Sequence, residues 1–187
     1  MLMIEVKFQG RGGQGAVTAS EILGKSFFLE GKYPQAFSLF GGERRGAPVF
    51  GFLRVNDHPI LLKCQVKHPD HVVIFDLSLA DEQEILQELK PGGSLLINTK
   101  LGIDHFPRLR EFRVGLVHAI GIAKSEGLGD NFNTAVLGAY VRLTGLVKLE
   151  TLTSVVRSMV PSKAESNVLA VQRAYEETTI HLPEENN

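Results

Sequence analysis

Residues Ile4–Phe8 read as a β-strand. They run almost directly into Gly10-Arg11-Gly12-Gly13-Gln14-Gly15, and Ala16–Glu30 then carries the spacing of a helix. Four glycines in six residues make a backbone turn with few side chains in the way. An anion can approach the bare N–H groups at such a helix start, where the helix dipole also favours negative charge. Gly10, Gly12 and Gly15 match G-x-G-x-x-G, and they do so in the strand–turn–helix context that this pattern needs. The alternative is a turn that only lets strand and helix pack closely.

A chain of 187 residues, 43% hydrophobic and 22% charged, is long enough for one good core. The remaining strand candidates are Pro48–Val55, His71–Phe75, Ser94–Ile97, Val114–Val117 and a weaker Tyr33–Leu39, with the first starting at Met3. VVIF at 72–75 and SLLIN at 94–98 are nearly all apolar, as strands buried on both faces of a parallel sheet are. Helices are expected at Ala16–Glu30, Ser78–Leu89, Asn133–Thr144, Leu149–Met159 and Lys163–Ile180. Ser162 and Glu165 have the spacing of a capping box for the last of these. Ala135, Gly138 and Ala139 would let the helix at 133–144 pack closely. Phe52–Leu62 reads as strand, Asn-Asp turn and second strand, a hairpin that would add an antiparallel pair. The expected fold is one three-layer α/β/α domain over 1–187, with a mainly parallel, mixed sheet and a helical C-terminal third. Residues 181–187 are expected to fray.

Several function classes are disfavoured. A net charge of −1 gives no global attraction for nucleic acid or for an acidic membrane surface. No apolar run reaches the roughly 18 residues of a membrane span, and the N-terminus lacks the long apolar stretch of a secretory signal. A cytoplasmic protein is expected. Cys64 is the sole cysteine, which excludes an intrachain disulfide and a Cys-only cluster; it reads as a buried or idle thiol. The six histidines show no metal-ligand spacing.

The ligand of the glycine turn is constrained by what is missing. A nicotinamide-binding unit needs an acidic residue roughly 20 residues past the loop. Tyr33–Ser38 holds no carboxylate, and the next ionic group is Glu43-Arg44-Arg45. This disfavours NAD and permits a ligand with an extra phosphate, NADP or coenzyme A. Arg11 is either solvated or aimed at an anion, and Gln14 bonds either a ligand or the loop itself. No G-K-[ST] follows, which disfavours a P-loop hydrolase. Asp76 ends the strand VVIF at the sheet edge where open α/β sheets place ligands, or else caps the next helix. Asn131 and Asn133 either bond a ligand or a partner, or cap the helix at 133–144. Lys100, after SLLIN, stands where a strand end could meet an anion.

A second segment, Phe40-Gly41-Gly42-Glu43-Arg44-Arg45-Gly46-Ala47-Pro48, sets arginines among glycines just before a strand, as either a surface turn with solvated charges or a second loop that brings fixed positive charge near the first. Together with Gly10–Ala19 and the run Asp130–Thr134, it resembles the γ subunit of 2-oxoacid:ferredoxin oxidoreductases, in particular the pyruvate/2-ketoisovalerate branch. The resemblance covers nearly the whole chain. Gly42 departs from it, standing where valine or proline is more usual. It implies a non-autonomous subunit of an enzyme that oxidatively decarboxylates a 2-oxoacid, passes the acyl group to coenzyme A and reduces ferredoxin. Thiamine diphosphate and iron–sulfur clusters would lie on alpha-, beta- and delta-type partners, and no catalytic residue or metal on this chain. The coenzyme A phosphates would bind at Gly10, Arg11, Gly12, Gly13, Gln14 and Gly15. Arg44 and Arg45 would either assist there or contact a neighbouring subunit. The alternatives are a stand-alone NADP- or nucleotide-binding module and a purely scaffolding subunit.

Overall fold

The apolar runs become strands of one twisted sheet. The computed structural model describes residues 3–40, 47–62 and 64–183. Its strands are β1 (Ile4–Arg11), β2 (Tyr33–Phe40), β3 (Pro48–Asn56), β4 (His71–Ile74), β5 (Ser94–Asn98), β6 (Arg113–Val117) and β7 (Thr179–His181). They lie in the order β2-β3-β1-β4-β5-β6-β7. The centre, β1-β4-β5-β6, is parallel, and β3 against β1, β2 against β3 and β7 against β6 are antiparallel. The sheet is therefore mixed, as expected.

The helices are α1 (Ala16–Leu29), α2 (Glu82–Glu88), α3 (Ala119–Ser125), α4 (Asn133–Thr144), α5 (Leu149–Met159) and α6 (Ala164–Glu177). Alternation along β1 assigns the two faces. Val6 and Phe8 enter a large core with residues of α1, α3, α4, α5 and α6. On the other face Val72, Ile74, Leu95 and Ile97 pack with Ile85 of α2 and Leu89 at its end, and with Phe106, Leu109 and Phe112. Lys7, only 5% exposed, points away from the larger core and is ion-paired with Glu84 at 3.2 Å and with Glu88, both on α2. The C-terminal third is a helical layer, as its periodicity predicts.

Four local expectations are corrected. The hairpin at Phe52–Leu62 does not form. Both edges of β3 are already occupied, by β2 and by β1, and residues 57–62 contain no strand. The antiparallel pair comes instead from β2. The helix expected over Lys163–Ile180 stops at Glu177, and Thr178-Thr179-Ile180, β-branched throughout, passes into β7. His181 thus belongs to a paired strand, while 184–187 lie outside the described residues. Ser162 and Glu165 form no capping box: Lys163 is the N-cap residue at φ +51°, and Glu165 is held by Arg157 at 2.7 and 3.0 Å. The helix expected at Ser78–Leu89 is a 3-10 turn at Leu77–Leu79 followed by α2, which Asp81 caps through Gln83 N and Glu84 N.

Candidate functional site: a glycine cradle at the centre of the sheet

β1 extends to Arg11, so Gly10 and Arg11 are strand residues and the turn proper is Gly12–Gly15. The turn is closed by Gln14 N donating to Arg11 O at 3.0 Å and tied to the start of β3 by Gly12 N donating to Ala47 O at 2.9 Å. Gly15 enters α1 at φ +80°, a conformation that favours glycine. A Cβ there would also stand 2.8–2.9 Å from the side chain of Asn133, which lies over it. At Gly10 a Cβ would press on Ala16 and Phe75 at 3.2 Å. The glycines therefore serve close packing as well as bare backbone.

No side chain caps α1, and its first turn holds no acidic residue. The first N–H groups of a helix have no partner within it. Here they border a cavity of about 420 Å³ lined by Arg11–Thr18, Val49, Asn131 and Asn133. An uncapped fourteen-residue helix that opens onto such a cavity offers donors and a positive dipole end to an anion.

Gln14 and Arg11 are both engaged. Gln14 Oε1 accepts from Arg11 N at 2.7 Å, and Gln14 Nε2 donates to Asp76 Oδ2 at 3.0 Å. Arg11 Nε donates to the same Oδ2 at 3.1 Å and its Nη2 to Ser78 Oγ at 2.8 Å. Asp76 in turn caps the Leu77–Leu79 turn through Ser78 N at 3.0 Å. Burial opposes its charged form. The hydrogen bonds from Ser78 and Gln14 and the charge of Arg11 outweigh that and hold the carboxyl below its ordinary range. Asp76 thus caps the turn and anchors two residues of the cradle, without itself lining the cavity. Its place at the end of β4 was legible in sequence; its bond to a side chain 65 positions away was not.

The other sequence candidates separate. Asn131 Nδ2 donates to Leu128 O at 3.2 Å, and α4 has Phe132 as N-cap residue with no side-chain cap, so neither asparagine caps it. Both line the cavity. Lys100 lies in a different cavity, with His118 and His181. Cys64 is exposed, not buried. Arg44 and Arg45 lie outside the described residues. Among the described residues no cluster of His, Cys, Asp and Glu is placed to hold a metal ion, and no helix is long and apolar enough to cross a membrane.

The cradle differs from a dinucleotide site in topology. β3 runs antiparallel between β1 and β2. The parallel neighbour that would carry a ribose-binding acid is therefore displaced, and β2 carries none. Fold and site define the class: an α/β domain whose chain diverges on either side of β1 and β4, with an anion-compatible glycine turn at that divergence.

The family is more specific. The family model for pyruvate ferredoxin/flavodoxin oxidoreductase matches residues 5–177, and the chain belongs to this family as a gamma-type subunit of an oxidoreductase. It is 45% identical to the pyruvate/ketoisovalerate oxidoreductases common subunit gamma of Thermococcus kodakarensis, over 96% of this chain and 99% of that one. It is also 45% identical to pyruvate synthase subunit PorC of Methanothermobacter marburgensis, over 93% and 97%. The crystal structure of pyruvate oxidoreductase subunit PORC from Thermotoga maritima superposes with a TM-score of 0.82 at 33% identity, over 95% of this chain and 98% of that one.

Proposed function

We propose that this chain is the gamma subunit of a pyruvate-type 2-oxoacid:ferredoxin oxidoreductase and that its glycine cradle holds the phosphates of coenzyme A. The reaction decarboxylates the 2-oxoacid, moves the acyl group to the coenzyme A thiol and delivers two electrons to ferredoxin. Thiamine diphosphate and iron–sulfur clusters belong to the alpha-, beta- and delta-type partners in this reading. The names of the relatives support the complex. The observation that carries the role of this chain is the uncapped start of α1 facing the 420 Å³ cavity across bare glycine backbone.

The residues present fit phosphate. Backbone N–H groups of Gly13 and of Gly15–Val17 and the helix dipole attract it without a side chain to reorganise, while Gln14 N is engaged in closing the turn. Arg11, neutralised by Asp76, fixes the shape of the turn and leaves the backbone to supply the attraction. Arg44 and Arg45 are assigned to the same anion or to a subunit contact. Holding the phosphates tethers the thiol near the acyl intermediate on a partner, and such positioning can lower a barrier by several kcal/mol, roughly 7–11 at its limit.

Two variants at one glycine separate charge from strain. Gly13 sits at φ +95° with open space around a built Cβ, so Asn and Asp impose nearly the same backbone cost. In the assembled complex Gly13→Asp should raise the KM for coenzyme A about tenfold above Gly13→Asn, about 1.4 kcal/mol of added repulsion. Equal KM values for the two would refute phosphate binding at the turn.

A further inference from the structure

The cavity at the glycine turn does not end there. Thr18, Asn131 and Asn133 also line a second cavity of about 250 Å³ that runs from the first turns of α1 to the turn joining α5 and α6. Its apolar lining is Ile22, Leu128, Met159, Val160 and Pro161.

This second wall is rigidly built. Asn167, 7% exposed, donates from Nδ2 to Ser162 O at 3.3 Å and to Lys163 O at 3.0 Å, and it accepts from Thr134 Oγ1 at 2.8 Å. The turn it staples holds Lys163 at φ +51°, the one non-glycine residue at positive φ among those described. Lys163 Nζ is spent on Gly127 O. Non-glycine backbone in this region costs free energy and persists where the surroundings impose it, which happens often beside ligands. At the junction of the two cavities lies Asn133. Its amide makes no hydrogen bond among the described residues and caps no helix.

We infer that the second cavity receives the nucleoside of the ligand whose phosphates occupy the cradle. The apolar lining suits the faces of a flat heterocyclic base, and the amides of Asn131 and Asn133 suit its edge or its ribose. Phosphate in the first cavity and base in the second place the two ends of a nucleotide on one continuous path along α1. This assignment rests on the reading that the cradle binds coenzyme A. The thiol end must leave this chain to reach the acyl group, whereas the second cavity is lined by this chain's own α1, the segment at Leu128–Asn133 and the turn between α5 and α6.

The test is to fill the second cavity in the assembled complex. The Ser162 side chain is exposed and makes no hydrogen bond, and its carbonyl, which Asn167 uses, survives substitution. Ser162→Trp should raise the KM for coenzyme A about tenfold at unchanged kcat. It should weaken competitive inhibition by adenosine 3′,5′-bisphosphate by the same factor and leave inhibition by 4′-phosphopantetheine, which lacks the nucleoside, within about twofold. Met159→Trp, entering from the end of α5, should reproduce the pattern and replaces Ser162→Trp if that complex fails to assemble. If both tryptophan variants bind coenzyme A normally while Gly13→Asp binds it poorly, the base lies elsewhere and only the cradle stands. Equal loss of phosphopantetheine also overturns the assignment, because the cavity would then merely shape the cradle. If Gly13→Asp changes nothing either, both readings fail together.

Discussion

Asp76 and Arg11 join the carboxyl ends of the two central strands β4 and β1: Arg11 Nε donates to Asp76 Oδ2 at 3.1 Å, and Gln14 Nε2 reaches the same oxygen at 3.0 Å. The chain runs outward from β1 through α1 to β2 and β3 on one side, and from β4 to β5 on the other. A crevice opens at such a divergence in α/β sheets, and ligands bind there. The ion pair spans it and carries the glycine turn with it.

Asp76→Asn tests that attachment. In either orientation the amide nitrogen meets a donor, Gln14 Nε2 and Arg11 Nε on one side or Ser78 N on the other. Hydrogen bonds to a charged acceptor contribute about 1.5–3 kcal/mol each, and the exposure of Arg11, 37%, reduces its share. The full chain should lose about 1–2 kcal/mol in urea unfolding. A variant that unfolds at the wild-type midpoint would show that the turn holds its shape without the pair.

Much of this fold was readable because its signals are local. VVIF and SLLIN are apolar on both faces since helices cover both, and the glycines of the turn lie together in sequence. The errors arose where a partner far away decides. Asn56-Asp57 looks like a hairpin turn, but the edges of β3 go to β1 and β2. Thr179–His181 looks like a helix end until β6 offers it an edge. Ser162 and Glu165 have capping spacing, yet Arg157 from the previous helix takes the glutamate. The Arg11–Asp76 pair is of the same kind: each residue stands out in its own stretch of sequence, and only folding brings them together.

Gly138 marks the closest approach of α4 and α6. A Cβ there would lie 2.1 Å from Val171 O, a backbone atom that cannot swing aside. Both helices are packed against the larger core, so the clash must be relieved by separating them. Gly138→Ala should therefore cost about 3 kcal/mol or more, toward the severe end for one methyl group. Gly127→Ala is the control: φ is +74° with nothing near a Cβ, so only backbone strain of about 1–2 kcal/mol applies. Thermal unfolding of the two variants measures the difference, and equal losses would mean that α4 and α6 can part without cost.

His71 ties stability to pH. Its ring lies edge-on to Tyr140 with centroids 5.8 Å apart, and its Nδ1 is 2.6 Å from Ser94 Oγ. Burial pulls its pKa down from 6.5 to about 4; Asp70 opposes this and Lys90 adds to it. The folded chain therefore holds fewer protons than the unfolded chain between about pH 4 and 6.5, and stability falls as pH falls through that window. The neutral ring's contribution is complete above pH 6.5 and is lost by about pH 4, an effect of about 3 kcal/mol. Carboxylates add their own acid dependence, so the measurement is a difference. His71→Gln should be less stable than wild type at pH 7, yet lose about 2–3 kcal/mol less between pH 7 and pH 4.5 in urea unfolding. Parallel losses for the two proteins would place the acid sensitivity elsewhere.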